Sequence, residues 1–203
     1  MARIKKIVIA TRNLGKAQRY KKMLLKVVDE VLSLDDFDFK EKPEETGETA
    51  EENAEIKAIF YAKKTNLPVF AEDESLFVDF LPEDKQPRVF IRRVNGKEVS
   101  DDELLAYWDS IIAKAPKEKR TGRWHMAYCF ATPDGKTSLI ALDHRRAFFS
   151  PPSKIRIPGW PMSSINGPAE FGKPHSELSE EELGVIHQGA DKVLIKKIKE
   201  FLS

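Results

Sequence analysis

The stretch that most constrains the fold runs from Glu44 to Asp79. Two acids, Glu44 and Glu45, lead to Thr49, and Glu52 follows three residues later, which is the spacing of a capping box at a helix start. Within that helix Asn53 and Lys57 share one face, with Ala54, Ala58 and Tyr61 as small and aromatic packing residues beside it. Pro68 then starts a short apolar strand, Val69-Phe70-Ala71, and Glu72-Asp73-Glu74 is expected where that strand ends. In open α/β sheets ligands bind outside the carboxyl ends of the strands. Two acidic turns separated by one helix and one strand can therefore converge on a hard cation. Oxygen-only ligation suits Mg²⁺, which keeps several waters and prefers phosphate co-ligands. Acidic turns are equally common as solvated caps, and at this level both readings stand.

The rest of the chain fits an α/β arrangement. Lys6 to Ala10 is an apolar run of strand length and reads as a buried central strand. It ends at Thr11-Arg-Asn-Leu-Gly-Lys16, followed by a helix with Tyr20, Met23, Leu24 and Val27 at helical spacing. A strand, a Gly-containing turn and a helix start can bind phosphate through free N–H groups and the helix dipole. Thr11 and Asn13 add short polar side chains, and Lys16 adds a positive charge that the dipole alone would disfavour. The same residues also make an ordinary turn and N-cap. With one Gly and no Gly-Lys-Ser/Thr ending, this is not a Walker A loop.

Glu30 to Lys40 reads as a second short strand and an acidic turn. Phe80 to Gly96 is irregular and holds Arg88, Arg92 and Arg93, which suit phosphate oxygens or a solvated surface. Ser100 and Glu103 form another capping box, opening a helix with Leu104, Leu105, Trp108, Ile111 and Ile112 on its buried side. Trp124 to Thr132 and Thr137 to Phe149 are two strand-like runs around the turn signal Pro133-Asp-Gly-Lys136, a hairpin expected to form a second, smaller lobe. Ser150 to Gly172 is rich in Pro and Gly and reads as a long functional loop. Its Trp160 can stack on a base or plug the loop onto the core. Ser179 and Glu182 start a short helix, and a separate final helix has Val193, Leu194, Ile198, Phe201 and Leu202 inward.

Composition narrows the function classes. The 203 residues are 41% hydrophobic and 33% charged, with a net charge of +1. That balance gives no general pull toward nucleic acid or an anionic membrane. No apolar run approaches the roughly 20 residues that cross a bilayer, and Ile7 to Ala10 is too short for a signal peptide. A cytoplasmic protein is expected. The single Cys129 excludes an internal disulfide and a thiolate zinc cluster, and its apolar neighbours mark it as a core residue.

Three motifs in order resemble the inosine triphosphate pyrophosphatase family, the house-cleaning nucleoside triphosphate pyrophosphatases. Ile-Ala-Thr-Arg-Asn-Leu-Gly-Lys, ending at Lys16, resembles that family's Ala-Thr-Gly-Asn-x-x-Lys phosphate loop. Glu44-Glu-Thr-Gly-Glu-Thr-Ala-Glu-Glu-Asn-Ala-Glu-Ile-Lys-Ala58 resembles its Glu-Thr-Gly-x-Thr-Phe-x-Glu-Asn-Ala helix motif. Leu67-Pro-Val-Phe-Ala-Glu-Asp-Glu-Ser-Leu-Phe-Val-Asp79 resembles its Leu-Pro-x-x-Ala-Asp-Asp-Ser-Gly-Leu-x-Val-Asp segment. The resemblance implies an α/β fold: a mixed β-sheet flanked by helices, in two lobes with a central cleft. Residues 1–203 form one domain, with lobe one about 1–80 plus 186–203 and lobe two about 97–150. It further implies Mg²⁺-dependent cleavage of a nucleoside triphosphate to monophosphate and pyrophosphate, usually by a homodimer, with no stable nucleic-acid or membrane partner.

Residue by residue, the resemblance implies that Asp73 is the general base and that Glu45, Glu72 and Asp73 hold the metal. Thr11, Asn13 and Lys16 match the triphosphate loop, and Arg93 matches an Arg of the family's Ser-Ala-Arg segment. Glu74 replaces the usual Ser. The family's Phe-Gly-Tyr-Asp-Pro becomes Pro158-Gly-Trp-Pro-Met162, which keeps an aromatic as Trp160 but puts Pro161 where the Asp stands. Its Ser-His-Arg-Gly becomes Ile186-His-Gln-Gly189, which keeps His187 and replaces Arg with Gln188, and a family Lys falls near Leu183. Those losses remove donors that read a purine 6-keto group. The chemistry is expected to be retained and the base preference changed or relaxed. The rival expectations are a nucleotide-binding protein of the same fold with little turnover, and a nucleic-acid module built on the Arg88 to Arg93 and Lys114 to Arg123 segments.

Overall fold

The structure, a computed structural model, describes residues 4–202. Strand β1, Ile4–Ile9, leads through the Thr11 turn to helix α1, Leu14–Leu24, which Asn13 caps. Strand β2, Val28–Ser33, returns parallel to β1 with Ile7 opposite Val31. Helix α2, Ala50–Thr65, starts at the Thr49–Glu52 box and stops at Asn66, whose left-handed φ of 53° ends the helical run. Strand β3, Val69–Val78, pairs parallel with the other edge of β1, Ile9 lying opposite Phe70. The two-residue strands β4, Arg93–Val94, and β5, Lys97–Glu98, form a small antiparallel pair of their own. Helix α3, Asp101–Ile112, follows the Ser100–Glu103 box. Strands β6, Thr121–Ala131, and β7, Thr137–Phe148, flank the expected turn, where Gly135 N–H donates to the Thr132 carbonyl at 2.9 Å. Strand β8, Asn166–Pro168, and helix α4, Glu180–Phe201, complete the order. The main sheet has six strands in the order β2-β1-β3-β6-β7-β8, with β8 antiparallel to β7.

The chain divides into two compact units. The first takes in residues up to Asp73, Met126–Leu142 and residues from His187 onward. Its core joins Ile7 and Ile9 of β1, Tyr20, Met23 and Leu24 of α1, Phe70 of β3, Tyr128 and Phe130 of β6, and Leu194 and Ile198 of α4. Burying each such side chain contributes about 1.5–3 kcal/mol. Tyr20 meets Phe70 edge-on, with ring centroids 4.9 Å apart. The second unit comprises Glu74–His125 and Asp143–Ile186. It buries Leu76 and Val78, the α3 stripe Leu104, Leu105, Trp108 and Ile112, and Ile165. Trp124 Nε1 donates to Asn166 Oδ1 at 3.0 Å, which satisfies a buried indole. The β6–β7 hairpin is shared between the units, its turn end grouping with the first.

Two elements differ from expectation. The acids Glu72, Asp73 and Glu74 lie inside β3, not beyond its end. The strand continues because Ser75-Leu-Phe-Val78 supplies a second run of strand-forming residues, and Leu76 exchanges backbone bonds with Arg88 at 2.9 and 3.1 Å. The two expected C-terminal helices are one helix of 22 residues. Ser179 and Glu182 do form its opening box, with Ser179 N–H 2.7 Å from Glu182 Oε2. Gly184 and Gly189 are carried within it, each with open space where a Cβ would stand, at about 1 kcal/mol each against Ala. The longer helix also changes the expected buried face: Leu194 and Ile198 are buried, whereas Val193 is 40% exposed.

Candidate active site

The turn after β1 is held by its own side chains. Thr11 Oγ1 accepts from Asn13 N–H at 3.1 Å, and Asn13 Oδ1 accepts from Lys16 N–H at 3.2 Å. Both residues therefore shape the start of α1. Lys16 stands in the first helical turn, where the dipole opposes a positive charge. Its ammonium lies 2.9 Å from Glu72 Oε2 and 3.3 Å from Oε1. The Glu72 side chain is 2% exposed, so this is a buried pair that holds together two residues 56 positions apart.

One residue further along β3, Asp73 meets a different lysine. Lys57 Nζ is 3.0 Å from Asp73 Oδ1 and 3.9 Å from Glu45 Oε2. Successive strand residues point to opposite faces, and the separate partners of Glu72 and Asp73 follow that alternation. Glu45 comes from a loop that is fixed to α2. Asn53, buried in the first turns of that helix, accepts from Gly47 N–H at 2.8 Å and donates to the Gly47 carbonyl at 3.3 Å. A Cβ on Gly47 would lie 2.6 Å from Glu52 Cβ and 2.7 Å from Asn53 Oδ1, so only Gly lets the loop lie this close. The motif Glu-Thr-Gly followed by Asn-Ala is thus a loop and its clamp.

The expected three-acid metal set is not assembled: among the described residues no group of three or more His, Cys, Asp and Glu side chains is placed to hold a metal ion. Glu45 and Asp73 share one ammonium, and Glu72 is engaged by another on the other face of the strand. Two carboxylates with no nitrogen or sulfur donor still fit Mg²⁺, which takes one or two carboxylates and completes its shell with water and phosphate oxygens. The sequence reading put Lys57 on the Asn53 face of α2 but gave it no part in the site. The four-residue step from Asn53 was the available signal, because it carries the clamp's face one turn further.

The remaining expected site residues have surroundings of their own. Glu74 is half-buried in β3. Arg93 is exposed in β4, its guanidinium 4.6 Å from the centre of the Phe90 ring. Trp160 precedes the 3-10 turn Pro161–Ser164 and meets His175 edge-on at 5.6 Å. Burial first, then the charge of Arg146, lowers the His175 pKa to about 4, so its ring is neutral at neutral pH. His187 is half-buried and Gln188 exposed on α4. Cys129 is buried, and burial raises its thiol to about 12, which removes it as a nucleophile.

The model of the Ham1 family matches residues 7–144. The chain belongs to the Ham1 family. A dITP/XTP pyrophosphatase from Bacillus cereus is 32% identical over 203 residues, covering 99% of this chain and 98% of the relative. The structure of a HAM1 protein from Coxiella burnetii superposes with a TM-score of 0.78 at 25% identity, covering 97% of this chain and all of the other. A nucleoside-triphosphatase / dITP/XTP pyrophosphatase from Mycobacterium abscessus gives a TM-score of 0.69 at 27% identity, over 93% of this chain and 96% of that one. The mixed sheet with flanking helices is thus the Ham1 fold, as the three motifs implied. No helix among the described residues is long and apolar enough to cross a membrane.

Proposed function

We propose that this Ham1 protein hydrolyses a non-standard purine nucleoside triphosphate to the monophosphate and pyrophosphate, with Mg²⁺ as the metal. The enzyme class rests on family membership: the chain is a hydrolase acting on phosphoanhydride bonds. The observation that supports the finer reading is the convergence of Glu45 and Asp73 on one ammonium, beside a strand whose other face carries Glu72 on Lys16. Two carboxylates would hold the cation, which lowers the cost of charge building on the phosphate oxygens. Asp73 would take the proton of the attacking water, and Thr11, Asn13 and Lys16 would hold the phosphate tail. Glu74, Arg93, Trp160, His187 and Gln188 complete our substrate set, with Trp160 as the stacking platform for the base. With Leu183 and Gln188 where Lys and Arg donors are expected, and Pro161 in place of an Asp, discrimination against ATP is relaxed. A cytoplasmic homodimer belongs to the same reading.

Pyrophosphate release measured across ITP, dITP, XTP, GTP and ATP, with and without Mg²⁺, tests this. Metal-dependent turnover with ITP or XTP ahead of ATP is expected. Nucleotide binding without pyrophosphate release at saturating Mg²⁺ would replace the reading with that of a nucleotide-binding protein.

A further inference from the structure

We propose that Lys57 is an internal competitor for the divalent cation, so that Glu45 and Asp73 take up metal well only together with a polyphosphate. The inference rests on the reading that these two carboxylates hold the metal. A single ammonium lies 3.0 Å from Asp73 Oδ1 and 3.9 Å from Glu45 Oε2, bridging residues of β3 and of the Gly47 loop. The Lys57 side chain is 13% exposed and that of Asp73 16%, so solvent screens their attraction far less than that of a surface pair. The lysine is not free to leave with its backbone. It sits one turn after Asn53, the residue that clamps the loop carrying Glu45, so helix, loop and ammonium form one braced unit.

Two carboxylates and one ammonium carry a single net negative charge. A divalent cation entering alone overshoots that charge. It must draw both carboxylates away from Lys57, leaving two positive centres side by side in a half-buried place. A polyphosphate removes the conflict twice over. Its oxygens complete the cation's shell, and its charge gives the displaced ammonium a new partner. Metal and polyphosphate therefore bind with positive coupling, and the coupling is the same whichever enters first. Lys16 pairs instead with Glu72, on the other face of β3.

The test is Mn²⁺ binding to the whole protein, followed by the paramagnetic resonance signal of free Mn²⁺, for wild type, Lys57→Met and Lys57→Gln. Thermal melts confirm that each is folded. Both variants are expected to bind Mn²⁺ alone roughly tenfold more tightly than wild type. Lys63→Met, which removes the same charge from the exposed last turn of α2, should leave the affinity unchanged. In wild type an α,β-methylene nucleotide should tighten Mn²⁺ binding about tenfold, and that coupling should shrink in Lys57→Met. Equal Mn²⁺ affinity in wild type and both Lys57 variants, with wild-type turnover still metal-dependent, overturns the competition and leaves the proposed function standing. Glu45→Gln in the Lys57→Met background that binds Mn²⁺ undiminished, or wild-type turnover without any divalent ion, removes the metal reading itself.

Discussion

Lys16, Lys57, Glu45, Glu72 and Asp73 in the first unit, and Trp160, His175 and Ser176 in the second, are two polar clusters built on opposite principles. In the first, opposite charges are paired: each lysine lies within ion-pair distance of at least one carboxylate. In the second, Trp160 Nε1, His175 Nδ1 and Ser176 Oγ are buried with no hydrogen-bond partner among the described residues. Most buried polar atoms in folded proteins are satisfied. The matched cluster stands poised to exchange one set of charges for another. The unmatched cluster is neutral, holding donors and a lone pair in reserve. Removing a partner should therefore be costly in the first cluster and cheap in the second.

The largest effect is expected at Asp73. Asp73→Asn should lower pyrophosphate release by about 10²–10⁴-fold, the usual worth of a general base, in a protein that thermal melts show to be folded. A variant of near wild-type rate would remove Asp73 from the chemistry and leave its pair with Lys57 as packing alone. Next comes Lys16→Met, which takes the ammonium away from the buried carboxylate of Glu72 and should cost about 3 kcal/mol in denaturant unfolding. Adding Glu72→Gln should recover most of that loss. If the single variant is as stable as wild type, the matched cluster is not held by its charges.

A smaller effect follows from His175. Its folded pKa of about 4 lies below the ordinary histidine value of 6.5, so on acidification the unfolded chain takes up a proton first. Stability is thus full above about pH 6.5 and falls as the pH drops toward 4, by about 2–3 kcal/mol from this group. Unfolding measured between these limits should lose that slope in His175→Phe, and an unchanged slope would place the proton elsewhere. The smallest effect is expected for Trp160→Phe. It deletes an unsatisfied N–H and keeps a ring, so stability should move by less than about 1 kcal/mol in either direction. A loss of several kcal/mol would show that the indole has a partner and that the two clusters are alike.

What was legible in the sequence is mostly what is local. The boxes at Thr49, Ser100 and Ser179 each depend on a residue three positions away, and all three are present. The run at Ile7 and the turn around Gly135 likewise carry their own instructions. The errors lie where an element is extended by something distant. Strand β3 runs through three acids because lysines from α1 and α2 pair with two of them. Spacing along the chain cannot show a partner 56 residues away. Helix α4 runs through two glycines, and the side chains it buries, Asp191, Leu194 and Ile198, all follow them. At the site, the motifs gave roles to Asp73 and Glu45 but none to Lys57, since a lysine's role depends on which carboxylates reach it in three dimensions.

The division of the chain has a consequence for its making. The first unit consists of three separated stretches and the second of two, so the thread passes between them within β3, β6, β7 and α4. A ribosome finishes the stretch bearing Lys16, Glu45, Lys57 and Asp73 early, yet Leu194 and Ile198, which belong to the same core, emerge more than a hundred residues later. The nascent chain must therefore carry that open apolar face until α4 arrives, and neither unit can be cut out, duplicated or exchanged as one continuous segment of gene.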